Sequence, residues 1–195
     1  MAHQGPDRGV SIVETTMIMC LGMLVAALAL PTWRSAVDEG RARQAAAFMA
    51  AQVRNAKLQA ILHGSSAGLV FDQAGERWLF RVCRDGNANG LRRADLALGR
   101  DACPSEPVDL AVAFPGVSVG VDPAIRGPEG EPPTTDPVRF GASDIASCSS
   151  FGGCTAGSVF MRSERGAQYV VRVAGVTGRT RVLRYDAPAR LWRER

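Results

Sequence analysis

The chain from Val10 to Leu30 is mostly apolar and carries a single charge, and Pro31 follows. At a rise of about 1.5 Å per residue, a helix over this stretch is long enough to cross a hydrocarbon core of about 30 Å. We therefore predict a transmembrane helix segment over residues 10–31. Its one charged residue is Glu14. Because a carboxylate in lipid costs on the order of a few kcal/mol, Glu14 is expected to have a function and a partner.

Beyond Pro31 the pattern becomes amphipathic and predicts that the helix continues over residues 32–63. Pro31 removes one backbone hydrogen bond, so we expect a kink or a local break there. Gly64 is the residue type favoured just past a helix end. Small and apolar residues at spacings of three and four form one face, which is expected to lie against a sheet; they are Ala42, Ala45, Met49, Val53, Ala56 and Ala60.

Residues 64–195 are expected to form a soluble β-rich domain. The loop 126–137 is rich in Pro and Gly and is expected to be exposed and mobile. No catalytic constellation is present in the sequence, and the two histidines, His3 and His63, are too far apart for a cluster. We therefore predict that the protein is not an enzyme. Apolar runs predict strands over residues 66–71, 78–82, 108–114, 117–121, 158–162, 168–174 and 179–185.

The start of the apolar stretch resembles the class III signal of type IV pilins and pseudopilins. A short polar leader, residues 1–9, ends in Gly9, and a hydrophobic residue and a Glu at the fifth mature position follow. The family usually has Phe where this chain has Val10. The resemblance implies that a prepilin peptidase cuts after Gly9 and methylates the amine of Val10. It also implies that Glu14 pairs with the terminal amine of a neighbouring subunit during assembly.

Two other interpretations of the apolar stretch stay open. A secretory signal peptide could be cut after residues 27–29, which read Ala-Leu-Ala, but it leaves Glu14 unexplained. A plain single-pass anchor explains the length but neither Gly9 nor Glu14. Basic residues are more numerous after the stretch than before it, which by the positive-inside rule would place the rest of the chain in the cytoplasm. This count opposes the pilin interpretation. The residues are Arg8 before the stretch and Arg34, Arg41 and Arg43 after it.

The end of the chain resembles the GspH/FimT branch of pseudopilins and minor pilins. Gly178, Arg179 and Arg181 match the G-R-x-R motif near the end of FimT-like minor pilins, where it is associated with DNA uptake. The fold implied is α+β and type IV pilin-like. A long N-terminal helix, half transmembrane and half amphipathic, would pack on a C-terminal antiparallel β-sandwich.

The charge distribution gives the arginine motif independent support. The net charge of the chain is +4, and residues 162–195 hold nine arginines against three acidic residues. Same-face residues on a strand lie about 6.5 to 7 Å apart, so Arg179 and Arg181 could meet consecutive phosphates of a nucleic acid. Guanidinium groups suit bidentate phosphate contact. The alternative is that both are solvated arginines that protect a sheet edge from aggregation.

The chain has five cysteines, of which Cys20 lies in the apolar stretch. The other four form an even set in the β-rich domain, which in an oxidising compartment suggests two disulfides. Proximity favours Cys83 with Cys103 and Cys148 with Cys154, although the sequence permits three pairings. Zinc ligands would be expected at closer Cys-x2-Cys spacing.

One polar segment matches the first half of a calcium-binding loop. Asp85, Asn87, Asn89 and Gly90 stand at the spacing where alternate oxygens converge on a hard cation. The position of the bidentate Glu is a leucine, and Asp95 falls one residue short of it. Because Asn and Gly are also common in tight turns, a structural turn is the alternative. No other cofactor is expected.

The resemblance implies a minor pilin or pseudopilin subunit, assembled at the tip or initiation complex of a type IV pilus or a type II secretion system. Its expected place is the inner membrane, crossed once, with the soluble domain in the periplasm or in the filament. Its expected partners are the prepilin peptidase, other minor subunits, the major subunit and double-stranded DNA. The alternative is a type II secretion pseudopilin that is purely structural and binds no DNA.

Overall fold

The computed structural model describes residues 11–194, and the chain divides into two compact units, residues 1–37 and 38–195. Helix α1, Ile12–His63, contributes residues to both. In the first unit its large apolar side chains are exposed, from 37% at Val37 to 83% at Ile12. The helix is continuous through Pro31, so no local break is found there. The neighbouring Thr32 hydroxyl donates to the Ala29 carbonyl, as hydroxyls near a helix proline often do.

In the second unit α1 packs on antiparallel sheets, which confirms the predicted α+β architecture. The helix ends at His63, and Gly64 has a φ of 64°, a left-handed conformation that suits glycine. Every residue of the predicted apolar face is buried. The buried residues of α1 are Ala42, Ala45, Ala46, Met49, Ala50, Val53, Ala56 and Ala60.

The smaller sheet has four antiparallel strands in the order β3-β2-β1-β6. Its strands are β1 (Ala67–Ala74), β2 (Arg77–Arg84), β3 (Val108–Asp109) and β6 (Ile145–Cys148). The short helix α2 (Arg93–Ala97) lies between β2 and β3 in sequence.

The larger sheet has six strands in the order β10-β9-β8-β7-β4, with β5 also paired to β7. Its strands are β4 (Val117–Val119), β5 (Val138–Arg139), β7 (Gly157–Ser163), β8 (Gln168–Val173), β9 (Thr180–Asp186) and β10 (Leu191–Glu194). In this sheet Val171 stands opposite Val182, and Arg172 stands opposite Arg181.

One hydrophobic cluster joins the helix to both sheets. Small residues on α1 let the helix pack closely on the sheets. Phe71 and Phe80 of the smaller sheet belong to the same cluster, and their ring centroids lie 6.1 Å apart. Polar contacts fix the helix as well: the Glu39 carboxylate accepts a hydrogen bond from the Tyr169 hydroxyl and lies 2.7 Å from the Arg184 Nε atom.

Several local predictions differ from the structure. The segment 108–114 was expected to be one strand, but only β3 is extended, and helix α3 (Leu110–Ala113) follows. The cause is Asp109, whose carboxylate accepts a hydrogen bond from the Ala111 N–H and caps the helix. Strands β5, β6 and β10 and helix α2 were not predicted.

Candidate functional site

Glu14 lies in the first turn of α1 and is exposed. The apolar residues that follow it are exposed as well, so the carboxylate stands on a helix whose surface suits lipid or other apolar helices. Within the described residues, α1 is the one helix long and apolar enough to cross a membrane. The predicted cleavage and methylation residues, Gly9 and Val10, lie outside the described residues.

The G-R-x-R residues begin at the turn between β8 and β9, which we call the arginine turn (residues 175–179). Gly178 has a φ of 59°, and its N–H donates to the Ala174 carbonyl. A Cβ atom at Gly178 would lie 2.6 Å from the Gly152 carbonyl oxygen and 2.8 Å from the Cys154 Sγ atom. Both the backbone conformation and the available space therefore require glycine at this position.

Arg179 and Arg181 are both exposed and share a face. Their side chains are 62% and 49% exposed, and both guanidinium groups approach the same Glu194 carboxylate oxygen, at 3.6 and 3.8 Å. Glu194 comes from the neighbouring strand β10. Exposed ion pairs at such distances contribute about 0 to 1 kcal/mol, so Glu194 can be displaced by a stronger anion.

Two further elements meet the arginine turn. The first is α1, whose Lys57 ammonium donates a hydrogen bond of 2.7 Å to the Thr177 carbonyl. The second is the segment between Cys148 and Cys154, which we call the disulfide loop (residues 149–153). The Cys154 N–H donates to the Gly175 carbonyl at 2.8 Å, which joins the loop to the turn.

Each of these two loops carries one apolar side chain that is almost fully exposed to solvent. Phe151, in the disulfide loop, is 98% exposed, and Val176, in the arginine turn, is 94% exposed. An apolar aromatic side chain gains nothing from such exposure in the free protein, so this position has no evident role in stability. The arginine turn therefore combines cationic and apolar side chains on one part of the surface.

The structure contains two disulfides, Cys83–Cys103 and Cys148–Cys154, with Cα–Cα distances of 4.0 and 3.9 Å. This is the pairing that proximity along the chain favours. Cys20 is a free thiol in the apolar part of α1.

The carboxylates of the candidate calcium loop are occupied by hydrogen bonds within the chain. The Asp85 carboxylate accepts from the backbone N–H groups of Asn87 and Gly90, at 3.0 and 2.7 Å. The Asn89 amide donates to Asp95 at 3.0 Å. Across residues 11–194, no three or more His, Cys, Asp or Glu side chains are grouped so as to hold a metal ion. These hydrogen bonds close a polar turn, and calcium binding by the loop stays a prediction.

Asp95 illustrates how the loop is held. Its pKa lies below the usual range, first because Asn89 donates to the carboxylate, with further contributions from Asn87 and the Arg100 guanidinium and an opposing one from burial. The Arg100 Nη1 atom lies 3.4 Å from the Asp95 Oδ1 atom. Asp101, which the calcium pattern does not include, accepts from the backbone N–H groups of Gly86 and Arg92 on the other side of the loop.

None of the family models, curated proteins and solved structures with which the chain was compared matches it. The site is therefore interpreted from its own geometry. Sequence reasoning identified Arg179 and Arg181 but missed Lys57, Glu194 and Phe151. The register of β10 and the approach of the disulfide loop, which bring these residues near the motif, leave no signal in the local sequence.

Proposed function

We propose that this protein is a minor pilin or pseudopilin of the GspH/FimT type. It is cut by a prepilin peptidase after Gly9, inserted in the inner membrane, and assembled into the tip or initiation complex of a type IV pilus or a type II secretion pseudopilus. The observation that carries this proposal is α1, which is apolar and exposed over its first part and then packs on two antiparallel sheets.

The exposed part of α1 needs an apolar environment. Its large apolar side chains are at least half exposed from Ile12 to Leu30, and burying each in lipid or against another helix is favourable by about 1.5 to 3 kcal/mol. A helix that leaves the bilayer for a filament needs neighbouring helices as its new apolar surroundings. The same surface serves both states, as the assembly of a membrane-stored subunit requires.

Glu14 is the one charged residue on this apolar surface and would make the contact between neighbouring helices specific. A carboxylate among apolar side chains is stabilised by a cation in direct contact. The free amine of an adjacent processed subunit is such a cation, and it would fix the axial register between neighbouring helices. The two disulfides favour a periplasmic place for the body, because such bonds persist in oxidising compartments.

The arginine turn adds a second role, binding of DNA for uptake. Arg179, Arg181 and Lys57 bring three positive charges to neighbouring parts of the surface, with Glu194 as the displaceable anion. This observation favours the pilus over the secretion system. A secretion pseudopilin without DNA binding is the second candidate, favoured by the ion pairs that Glu194 already makes with both arginines.

The assembly role of Glu14 is tested by Glu14→Ala. Removing a lipid-exposed carboxylate should leave membrane insertion intact or improve it, and processing should continue. Incorporation into filaments should fall at least tenfold, as measured by immunoblotting of sheared filaments against the membrane fraction. Thr16→Ala, two residues further along the same helix, is the matched control and should assemble like the parent. Normal incorporation of the Glu14 variant would reduce the apolar segment to a simple anchor.

DNA binding is tested by replacing Arg179 and Arg181 together with Gln in the full chain in detergent. Phosphate contacts release counterions, so the parent should bind duplexes of any sequence and weaken steeply between about 50 and 200 mM salt. The double variant should lower the slope of log affinity against log salt by about one to two. Mobility-shift titrations at several salt concentrations measure this slope.

The matched control is the double Gln variant of Arg162 and Arg165, two exposed arginines outside the motif that carry the same charge. It should keep the affinity and salt slope of the parent. Equal losses in the two double variants would mean that any DNA affinity is spread over the basic C-terminal third. The purely structural candidate would then be preferred.

A further inference from the structure

We propose that Phe151 is a base-stacking residue and that the ligand of the arginine turn is a nucleic-acid strand with accessible bases. This inference rests on the proposed DNA binding and adds to it a second contact chemistry, through bases rather than phosphates. Phe151 is the most exposed of the large apolar side chains in the described residues, at 98%. Nothing in the arginine motif itself points to this residue.

The disulfide loop is held in place from both sides. The Cys148–Cys154 bond closes it, and the Ser149 N–H donates to the Gly153 carbonyl at 2.8 Å. The Cys154 N–H reaches the Gly175 carbonyl in the arginine turn. Gly152 is buried, and a Cβ atom there would lie 3.4 Å from the Lys57 Cε atom. The aromatic ring is therefore presented from a fixed backbone, which lowers the entropy lost on binding.

The charged residues near Phe151 are mainly positive and favour a polyanionic ligand. Residues 149–157 and 174–181 contain no Asp or Glu, whereas Lys57, Arg179 and Arg181 lie on or beside these segments. Within the described residues Glu194 is the acidic side chain paired with the two arginines. The loop that carries the ring adjoins Lys57 and the turn that leads to Arg179. Proteins bind single strands by combining cationic side chains, which contact phosphates, with aromatic rings, on which bases stack.

The exposed ring favours an unpaired base over a duplex. Stacking needs a base face, and in a duplex the faces are already covered by neighbouring base pairs. Arg179 and Arg181 contact phosphates in either form, so the duplex affinity should depend on the arginines alone. A single strand should gain the additional contact. Stacking on one aromatic ring corresponds to about tenfold in affinity.

The test compares Phe151→Ala with the parent, both as the full chain in detergent, by fluorescence anisotropy. The probes are a twelve-nucleotide oligothymidine, an abasic strand of the same length, and a duplex. We expect about tenfold weaker binding of the oligothymidine by the variant, an unchanged salt slope, and equal binding of parent and variant to the abasic strand and the duplex. Phe151→Trp should restore the affinity, and Phe151→Leu should not.

Controls separate this contact from general apolar effects and from the arginine contacts. Leu98→Ala, at an exposed apolar residue outside both loops, should bind like the parent. Val176→Ala tests the other loop, with Val112→Ala, at another exposed valine, as its matched control. Equal melting temperatures of the Phe151 variants and the parent establish that the fold is intact, as the exposure of the side chain predicts.

Several results would overturn the inference. Unchanged oligothymidine binding by Phe151→Ala would do so, and if the Arg179 and Arg181 variant still lost affinity, the proposed DNA binding would stand without it. A loss confined to the duplex would indicate insertion between base pairs instead of stacking on a free base. A loss of filament incorporation without any change in nucleic-acid binding would assign Phe151 to a protein contact, together with the exposed Leu58, Ile61 and Leu62 of α1.

Discussion

At the scale of single residues, Gly178 and Asp85 each hold a turn of the candidate sites in its conformation. Gly178 belongs to the motif, yet its conformation and its contact with Gly152 show that it is needed to bring two loops together. The Asp85 carboxylate accepts hydrogen bonds from the backbone N–H groups of Asn87 and Gly90 and so closes the polar turn that begins at this residue.

Asp144 is a residue whose charge opposes folding. Burial, followed by repulsion from Asp136, raises its pKa above the usual value, with Arg93 acting in the opposite direction. Its φ of 51° is a left-handed conformation that Asn also tolerates. A raised pKa in the folded state means that the protonated form is favoured on folding. The contribution to stability is therefore present below about pH 3.8 and is lost as pH rises through the folded-state pKa.

Asp144→Asn should consequently stabilise the protein at neutral pH, because it removes the charge and keeps the backbone conformation. The advantage should shrink as pH falls and should vanish near pH 3, where the parent side chain is protonated in both states. Thermal melts of parent and variant between pH 3 and 7 measure it. A variant that melts below the parent at pH 7 would show that the Arg93 attraction outweighs burial.

At the scale of elements, periodicity was the most informative signal. The small residues of α1 recur on one face, and that whole face is buried against the sheets. The strands β7, β8 and β9 were predicted from their apolar runs and were found. Short elements were missed: β5 has two residues, and β6 and β10 have four each, so their pairing comes from neighbouring strands and leaves no local pattern.

The two disulfides should differ in what they contribute to stability. The cysteines of Cys83–Cys103 are 20 residues apart in sequence and those of Cys148–Cys154 are 6 apart. By loop entropy, removing the first should cost about 3 kcal/mol and removing the second about 2 kcal/mol. Denaturant unfolding of the two paired Cys→Ala variants under non-reducing conditions gives both values. A larger loss for the shorter loop would mean that the loop contacts with the arginine turn dominate over chain entropy.

At the scale of the whole molecule, the fold class could be predicted because a single feature, the long helix, organises it. Its apolar first part and its Ala-rich second part are both visible in the sequence, and the antiparallel sheets follow from the strand patterns. The candidate site could be predicted only in part. Arg179 and Arg181 stand together in sequence, but Lys57 and the disulfide loop that carries Phe151 reach the arginine turn through tertiary contacts.

The proposed function assigns one role to the apolar part of α1 and another to the β-rich body. In this proposal the apolar part of α1, with its one carboxylate, would provide assembly, and the β-rich body would present a cationic and apolar surface to a ligand. Assembly would depend on a first step, removal of the leader. Without cleavage at Gly9 there would be no free amine on Val10, and Glu14 of the neighbouring subunit would have no cation to meet.

The most direct test of the central claim is therefore the N-terminus of the mature protein. The full chain, expressed with a prepilin peptidase and purified from membranes, is analysed by intact mass and by sequencing of the N-terminal peptide. We predict a chain that begins at Val10 and carries one methyl group on its amine, and an uncut precursor when Gly9 is replaced by Leu. A mature protein that begins at Met1 or at Leu30 would contradict the account.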